Sequence, residues 1–255
     1  MGMTQGFAPA RKPVAICDDV RAFRPEIPRN PAIAHVQQFP LFFGLSTAAC
    51  GEIISAAREK MFFRRQVIYF QDDPMDQVIL VTSGAVKTTQ LGRNGNEVIL
   101  RLGGPGEVIG CNGVTSGRYH RAAAQALSAS HALIWGTASF ETLSGRYPVL
   151  RRNACRMLCE LLLDLEKRFC EVSTESATLR VGHEVARLAD RIGERANGSI
   201  RINLSREDIA QLTGTTLFTV SRLLSRWKAQ GIVSTGREFV TVHNPQALLN
   251  LAEIE

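Results

Sequence analysis

The stretch from Ser205 to Trp227, SREDIAQLTGTTLFTVSRLLSRW, constrains this chain more than any other. Ser205 and Asp208 stand at capping-box spacing, where a hydroxyl and a carboxylate satisfy amide donors that the first helical turn leaves free. A helix is predicted to begin there, with Ile209, Ala210 and Leu212 as its apolar face. Gly214 ends it, because glycine enters the left-handed region without steric cost. Thr215 or Thr216 then caps a second helix, in which Val220, Leu223, Leu224 and Trp227 recur at offsets of three and four as one apolar stripe. Thr216, Leu217, Phe218, Thr219, Ser221, Arg222, Arg226 and Lys228 are left on other faces. Helix, tight turn, helix describes many αα-hairpins and also the helix-turn-helix, whose second helix enters the DNA major groove. The residues after Trp227 favour the second: Gly231-Ile-Val, a turn at Thr235 to Glu238 and the alternating Phe239 to Val242 read as a β-hairpin, completing a winged helix-turn-helix.

The rest of the chain fits an α+β protein. With 255 residues, 45% of them hydrophobic, it is long enough for two modest domains. No apolar run approaches the roughly 18 residues of a membrane span, and the N-terminus has no apolar leader segment, so a cytoplasmic protein without membrane association is expected. A net charge of +6 agrees with a polyanionic partner without establishing one. Cysteines at 17, 50, 111, 155, 159 and 170 form no CxxC pair, and in a cytoplasmic setting structural disulfides are not expected.

Residues 1–38, with Pro9, Pro13, Pro25, Pro28 and Pro31 and no sustained period, read as an irregular arm. Residues 39–61 are predicted to be a short helical region. Strands are then expected at 63–70, 78–83, 86–91, 98–102, 122–128 and 133–135. Turns at Gly84, Asn94-Gly95 and Gly103-Gly104-Pro105-Gly106 punctuate them. Many short strands between glycine turns imply a sandwich or jelly roll over 39–147. Pro148 opens the longest helix, to about Val172. Ala154, Leu158, Leu161, Leu165 and Val172 follow near-heptad spacing on it, with Leu162 and Phe169 adjoining and Arg168 interrupting the seam. This reads as a dimer coiled coil, with packing against its own sandwich expected as well, on a different face. The helix and a hinge near Ser173 to Ser176 fill 148–175. A further helix, Arg180 to Ile192, opens the last domain, 176–255.

The segments REDIAQLTG and TVSRLLSRWKAQGIV, with the hairpin after them, resemble the DNA-binding domain of the CRP/FNR superfamily of bacterial transcription factors. The resemblance extends from Phe39 onward. It implies a cyclic-nucleotide-binding-like β-roll, a homodimer on palindromic operators, and double-stranded DNA and RNA polymerase as partners. It also implies residue roles. Arg206 matches a phosphate contact beside the cap Ser205, and Arg222 matches an arginine that reads guanine through a bidentate fork. Leu217 and Phe218 replace the arginine and glutamate usual there, so thymine methyls are expected in place of hydrogen-bonded base edges.

In members that bind cyclic AMP, a glutamate and an Arg-Ser pair hold the nucleotide. Here Gly110 and Arg121 remain, while Cys111 and Ala122 occupy the glutamate and serine positions. Unsatisfied ligand groups cost about 1–3 kcal/mol each, so cyclic-AMP control is not expected. Arg121 reads either as a retained phosphate ligand or as a solvated loop arginine. Iron-sulfur members carry several close cysteines in the arm; Cys17 stands alone, so no such cluster is expected.

The run TGTTLFTVSRLLS and the loop Ser116 to Ala124 resemble the nitric-oxide-responsive denitrification regulators. That implies a nitric oxide or redox signal, with haem as a candidate cofactor and His35, His120, His131 or Cys111 as candidate iron ligands. Thiol chemistry at Cys111 or at Cys155 and Cys159, and regulation without any effector, stay open beside it. A jelly roll can also be a cupin enzyme, but that needs clustered histidines and carboxylates. His120 and His131 form no HxH, and no enzyme is expected.

Overall fold

The computed structural model describes residues 33–93, 95, 97–110 and 119–250. After a short helix α1 (Ile33–Val36), a 3₁₀ turn at Pro40–Phe42 and α2 (Thr47–Ser55) lead into β1 (Arg58–Phe62). The strands β2 (Val67–Tyr69), β3 (Gln77–Ser83), β4 (Val86–Leu91), β5 (Glu97–Gly103), β6 (Val108–Ile109), β7 (Ala123–Ala126) and β8 (Ser130–Gly136) come next. They form two four-stranded antiparallel sheets, β1-β8-β3-β6 and β2-β7-β4-β5. Phe62, Ile79, Val81, Val86, Ile109, Ala124, Ala126 and Ile134 fill the space between the sheets. Alternate residues of the first sheet, Val78, Leu80, Val108, Leu133 and Trp135, point the other way and pack on helices. There the Trp135 indole donates to the Ile53 carbonyl at 2.7 Å. The chain crosses from β3 in one sheet to β4 in the other at Gly84, at φ +84°, where a Cβ would lie 2.4 Å from the Ala129 carbonyl. Glycine alone fits that approach.

Two parts of this region depart from the sequence reading. Residues 58–61 are a strand, not the end of a helical region, although Arg, Glu, Lys and Met are good helix formers. β1 is held by its register with β8, Arg58 opposite Ile134 through Phe62 opposite Ser130, and long-range pairing overrides the local preference. The strand expected at 63–70 shrinks to Val67–Tyr69, because residues 63–66 turn with Arg65 at φ 66° and Gln66 bonding back to the Phe63 carbonyl. Gly95 sits at φ +79° between β4 and β5, whose pairing runs from Val86–Gly103 to Leu91–Glu97. Asn94, the other half of that turn signal, lies outside the described residues.

Helix α3 (Thr137–Arg146), which the sequence reading did not anticipate, leads to α4 (Pro148–Thr174). The side chain of Asn153 anchors α4 by donating to the carbonyls of Leu41 and Phe43 at 3.0 and 2.8 Å. Ser176 caps α5 (Ala177–Ile192), three residues ahead of the predicted start. A hairpin of β9 (Glu194–Ala196) and β10 (Ser199–Ile202) turns on Asn197 and Gly198, both at positive φ. Then come α6 (Arg206–Thr213), α7 (Leu217–Ala229), β11 (Val233–Thr235), β12 (Val240–Val242) and α8 (Pro245–Leu249), with strand order β11-β12-β10-β9. Val181, Val185, Leu188, Ile209, Val220, Leu224 and Trp227 form the core of this part, and Ile99 and Leu102 of β5 join it. No helix of the described residues is long and apolar enough to cross a membrane.

Candidate nucleic-acid interface

The two helices form as their punctuation predicts. Asp208 N–H donates to Ser205 Oγ and Ser205 N–H to Asp208 Oδ2, both at 3.1 Å, a complete capping box. Gly214 closes α6 at φ +59°. Of the two threonines, Thr216 is the cap: its Oγ1 accepts from Thr219 N–H at 3.1 Å. Val220, Leu223, Leu224 and Trp227 are buried, which fixes the rotation of α7. Its outward side carries Leu217, Phe218, Arg222, Arg226 and Lys228, with Phe218 76% exposed. Thr219 and Ser221 are half-buried beside them. An exposed phenylalanine at a helix N-terminus among cations suits a surface that meets stacked bases and phosphates. Arg206 is half-buried, and its guanidinium reaches the Thr235 hydroxyl at 3.2 Å, tying the start of α6 to the wing.

Polar contacts join this unit to α4 and the β-roll. Lys87 of β4 pairs with Asp208 at 3.2 Å. Arg168 of α4, the residue that broke the predicted seam, donates to the Leu100 carbonyl of β5 at 2.6 Å and the Leu212 carbonyl of α6 at 3.0 Å. Beneath it Arg187 binds Glu171 through two bonds, at 2.6 and 2.8 Å, and Glu184 at 2.6 Å. Burial works against the Arg187 charge, but Glu171 and Glu184 outweigh it and hold the guanidinium protonated well above its usual range. Glu171 also lies near Glu175 and His183, in a cluster of metal-ligand type, but Arg187 already takes its carboxylate and His183 takes Glu175. At the far end Glu238, on the wing tip, bridges Arg64 and Arg65 of the β1–β2 turn, 2.6 Å from Arg64. Sequence reasoning missed all of these; only Arg168, a lone cation in an apolar seam, gave a signal.

The expected effector positions are partly described. Gly110 has φ +78°, and a Cβ there would meet the His120 ring at 3.1 Å. His120 is 4% exposed and lies flat on Tyr69, ring centres 3.6 Å apart. Burial pushes its imidazole pKa down, against a smaller upward pull from Asp73 and Asp76. Arg121 is exposed and Ala122 half-buried; Cys111 lies outside the described residues. His35 is exposed against Phe39, and His131 is half-buried in β8. These histidines do not converge. An axial ligand needs an accessible ring nitrogen; His35 is exposed and His131 half-buried, while His120 is enclosed with Tyr69 across its ring face.

On α4, Ala154, Leu158 and Leu161 are half-buried and line the cleft beside the β-roll. Leu165, one heptad beyond Leu158 on the same stripe, is exposed with Leu162, Phe169 and Val172, and the described residues leave this part of α4 largely uncovered.

A β-roll joined through a long helix to a winged helix-turn-helix with a cationic recognition helix is the architecture of a DNA-binding transcription regulator. The comparisons agree. The family model for the Crp-like helix-turn-helix domain matches residues 157–251, and that for the cyclic nucleotide-binding domain matches 59–147. FixK2 from Bradyrhizobium japonicum is similar in structure, with 30% identity, a TM-score of 0.68 and coverage of 76% of this chain and 96% of that one. The anaerobic regulatory protein of Pasteurella multocida (strain Pm70) is 27% identical over 197 residues, 76% of this chain and 72% of that protein. The fumarate and nitrate reduction regulatory protein of Escherichia coli (strain K12) is 26% identical over 197 residues, 76% and 78% of the two. This chain belongs to the CRP/FNR family of transcription regulators, and it is not an enzyme.

Proposed function

We propose that the protein acts as a homodimer on two-fold symmetric DNA sites, where it meets RNA polymerase, and that a nitric oxide or redox signal rather than cyclic AMP controls it. The observation that carries the dimer is the exposed apolar stripe of α4, with Leu162, Leu165, Phe169 and Val172 in a row that water would otherwise solvate. Pairing there would set two α7 helices about 34 Å apart, one turn of duplex. In each half-site Arg222 reads a guanine, Leu217 and Phe218 lie against thymine methyls, and Thr216, Thr219, Ser221 and Arg226 line the same surface. Ser205 holds the start of α6 toward the backbone, and Arg206 reaches a phosphate once it leaves Thr235.

Against cyclic AMP stand Cys111 and Ala122, at positions where the nucleotide needs an acceptor and a donor. The names of two relatives, an anaerobic regulatory protein and a fumarate and nitrate reduction regulator, support a redox-type signal. The exposed thiols Cys155 and Cys159, one turn apart on α4, support a thiol route beside the haem one.

Selection of binding sites from random duplex, with sedimentation of the protein alone, tests the reading. Two-fold symmetric sites and a dimer are expected; asymmetric sites bound by single copies would overturn it. Arg222→Ala is expected to lose about 1–3 kcal/mol of binding and one base preference. An absorption spectrum of anaerobically prepared protein, with and without haem and nitric oxide, separates a haem route from a thiol one.

A further inference from the structure

Outside the expected effector positions, a cleft of about 610 Å³ opens between α3, α4 and the β5–β6 turn. That is the size range of small-molecule sites. Leu41, Val78, Val108, Phe140, Met157 and Leu158 wall it with apolar surface. Ser144 of α3 lines the same space, is only 4% exposed, and its buried hydroxyl has no hydrogen-bond partner. A buried polar group left unpaired is destabilising, at about 1–3 kcal/mol, so the unpaired hydroxyl of a residue in the cleft wall is the group that a ligand atom would satisfy once a small side-chain shift exposes it. The arginines and glutamates around the rim are equal in number, and Arg101 and Arg191 are both turned to Glu107, so no net charge selects an ion.

The cleft also touches the DNA-binding part. Its floor is the turn 103–107, and a Cβ on Gly104 would lie 3.1 Å from the Arg191 carbonyl in the last turn of α5. Displacing that turn must displace α5, whose other end holds the hinge.

We propose that this cleft is an effector site for an uncharged, largely apolar small molecule whose single hydrogen-bonding group meets Ser144. The site is separate from Gly110 and Arg121, neither of which lines it. It rests on the reading of the protein as a signal-controlled regulator and adds a second input to it.

The test uses the full chain and N-phenyl-1-naphthylamine, an uncharged probe with one N–H that fluoresces out of water. Saturable binding is expected, weakened about five-fold in Ser144→Ala by loss of one hydrogen bond. Met157→Trp, which fills the cleft from α4, is expected to abolish it, with Ser144→Val as the milder filling variant should Met157→Trp unfold. Bound probe is expected to change affinity for duplex DNA in the same sample by about five-fold or more. Absence of saturation, unchanged affinity in Ser144→Ala together with the filling variant, or DNA binding indifferent to the probe would each overturn the proposal. DNA binding without probe binding sinks this site alone, whereas probe binding by a protein that ignores every duplex sinks the underlying reading.

Discussion

The β-roll meets the winged helix-turn-helix through contacts at two depths, and the chemistry of the two differs. Beside α4 the contact is buried: Arg168 links carbonyls of β5 and α6, Arg187 is clamped by Glu171 and Glu184, and Ile99 and Leu102 enter the core of the DNA-binding part. At the wing tip the contact is exposed, with Glu238 between Arg64 and Arg65 and water on all three side chains. Buried groups lose heavily when one partner is removed, about 3–5 kcal/mol for an ion pair. Exposed ion pairs contribute about 0–1 kcal/mol. The first contact therefore makes one cooperative unit, and the second biases where the wing rests.

Arg168→Ala breaks the comparison at its strongest point. It leaves the Leu100 and Leu212 carbonyls without their donor, and a loss of about 3 kcal/mol in denaturant unfolding is expected. A change below about 0.5 kcal/mol, the usual effect of surface substitutions, would show that the junction is not what joins the halves.

Acid sharpens it next. His120 has its folded pKa lowered by burial, so below the ordinary value near 6.5 the unfolded chain binds a proton that the folded β-roll refuses. Stability is then lost as pH falls through that value and levels off only below the folded pKa. Melting from pH 7.5 to 5.5 should shift downward as a single transition in the wild type and flatten in His120→Phe. In Arg168→Ala only the β-roll should follow the pH. The smallest effect is expected for Glu238→Ala: under 1 kcal/mol in stability, but faster proteolysis of the wing turn at Arg237, read by limited trypsin digestion.

The helix-turn-helix was legible because everything that shapes it is local. Ser205 and Asp208 are three residues apart, Gly214 needs only its own φ, and the α7 stripe follows helical period. The β-roll was legible as a class, but β1 was not, since the sequence of residues 58–61 favours helix and only β8 makes it a strand. The β9–β10 hairpin carried a usable sign that went unread, Asn197-Gly198, the pair that a two-residue turn with both φ positive favours. Neither junction could be read, because Arg168 and Leu212, or Arg64 and Glu238, are far apart in sequence and meet only in the fold. The apolar side of α4 was legible as a helix property, while the extent of its cover was not: Leu158 and Leu161 are half-buried, and Leu165 and Phe169, further along the same stripe, are exposed.

Salt acts unequally on these contacts. Dissolved ions screen charges in the open over about 8–10 Å and reach enclosed ones far less, so raising ionic strength frees Glu238 from Arg64 and Arg65 long before it loosens Arg187. The slope of log affinity for DNA against log salt is ordinarily a tally of phosphates neutralised. If DNA draws the wing off Arg64 and Arg65, the slope also contains that release, and Glu238→Ala is the variant whose slope reports the phosphates alone.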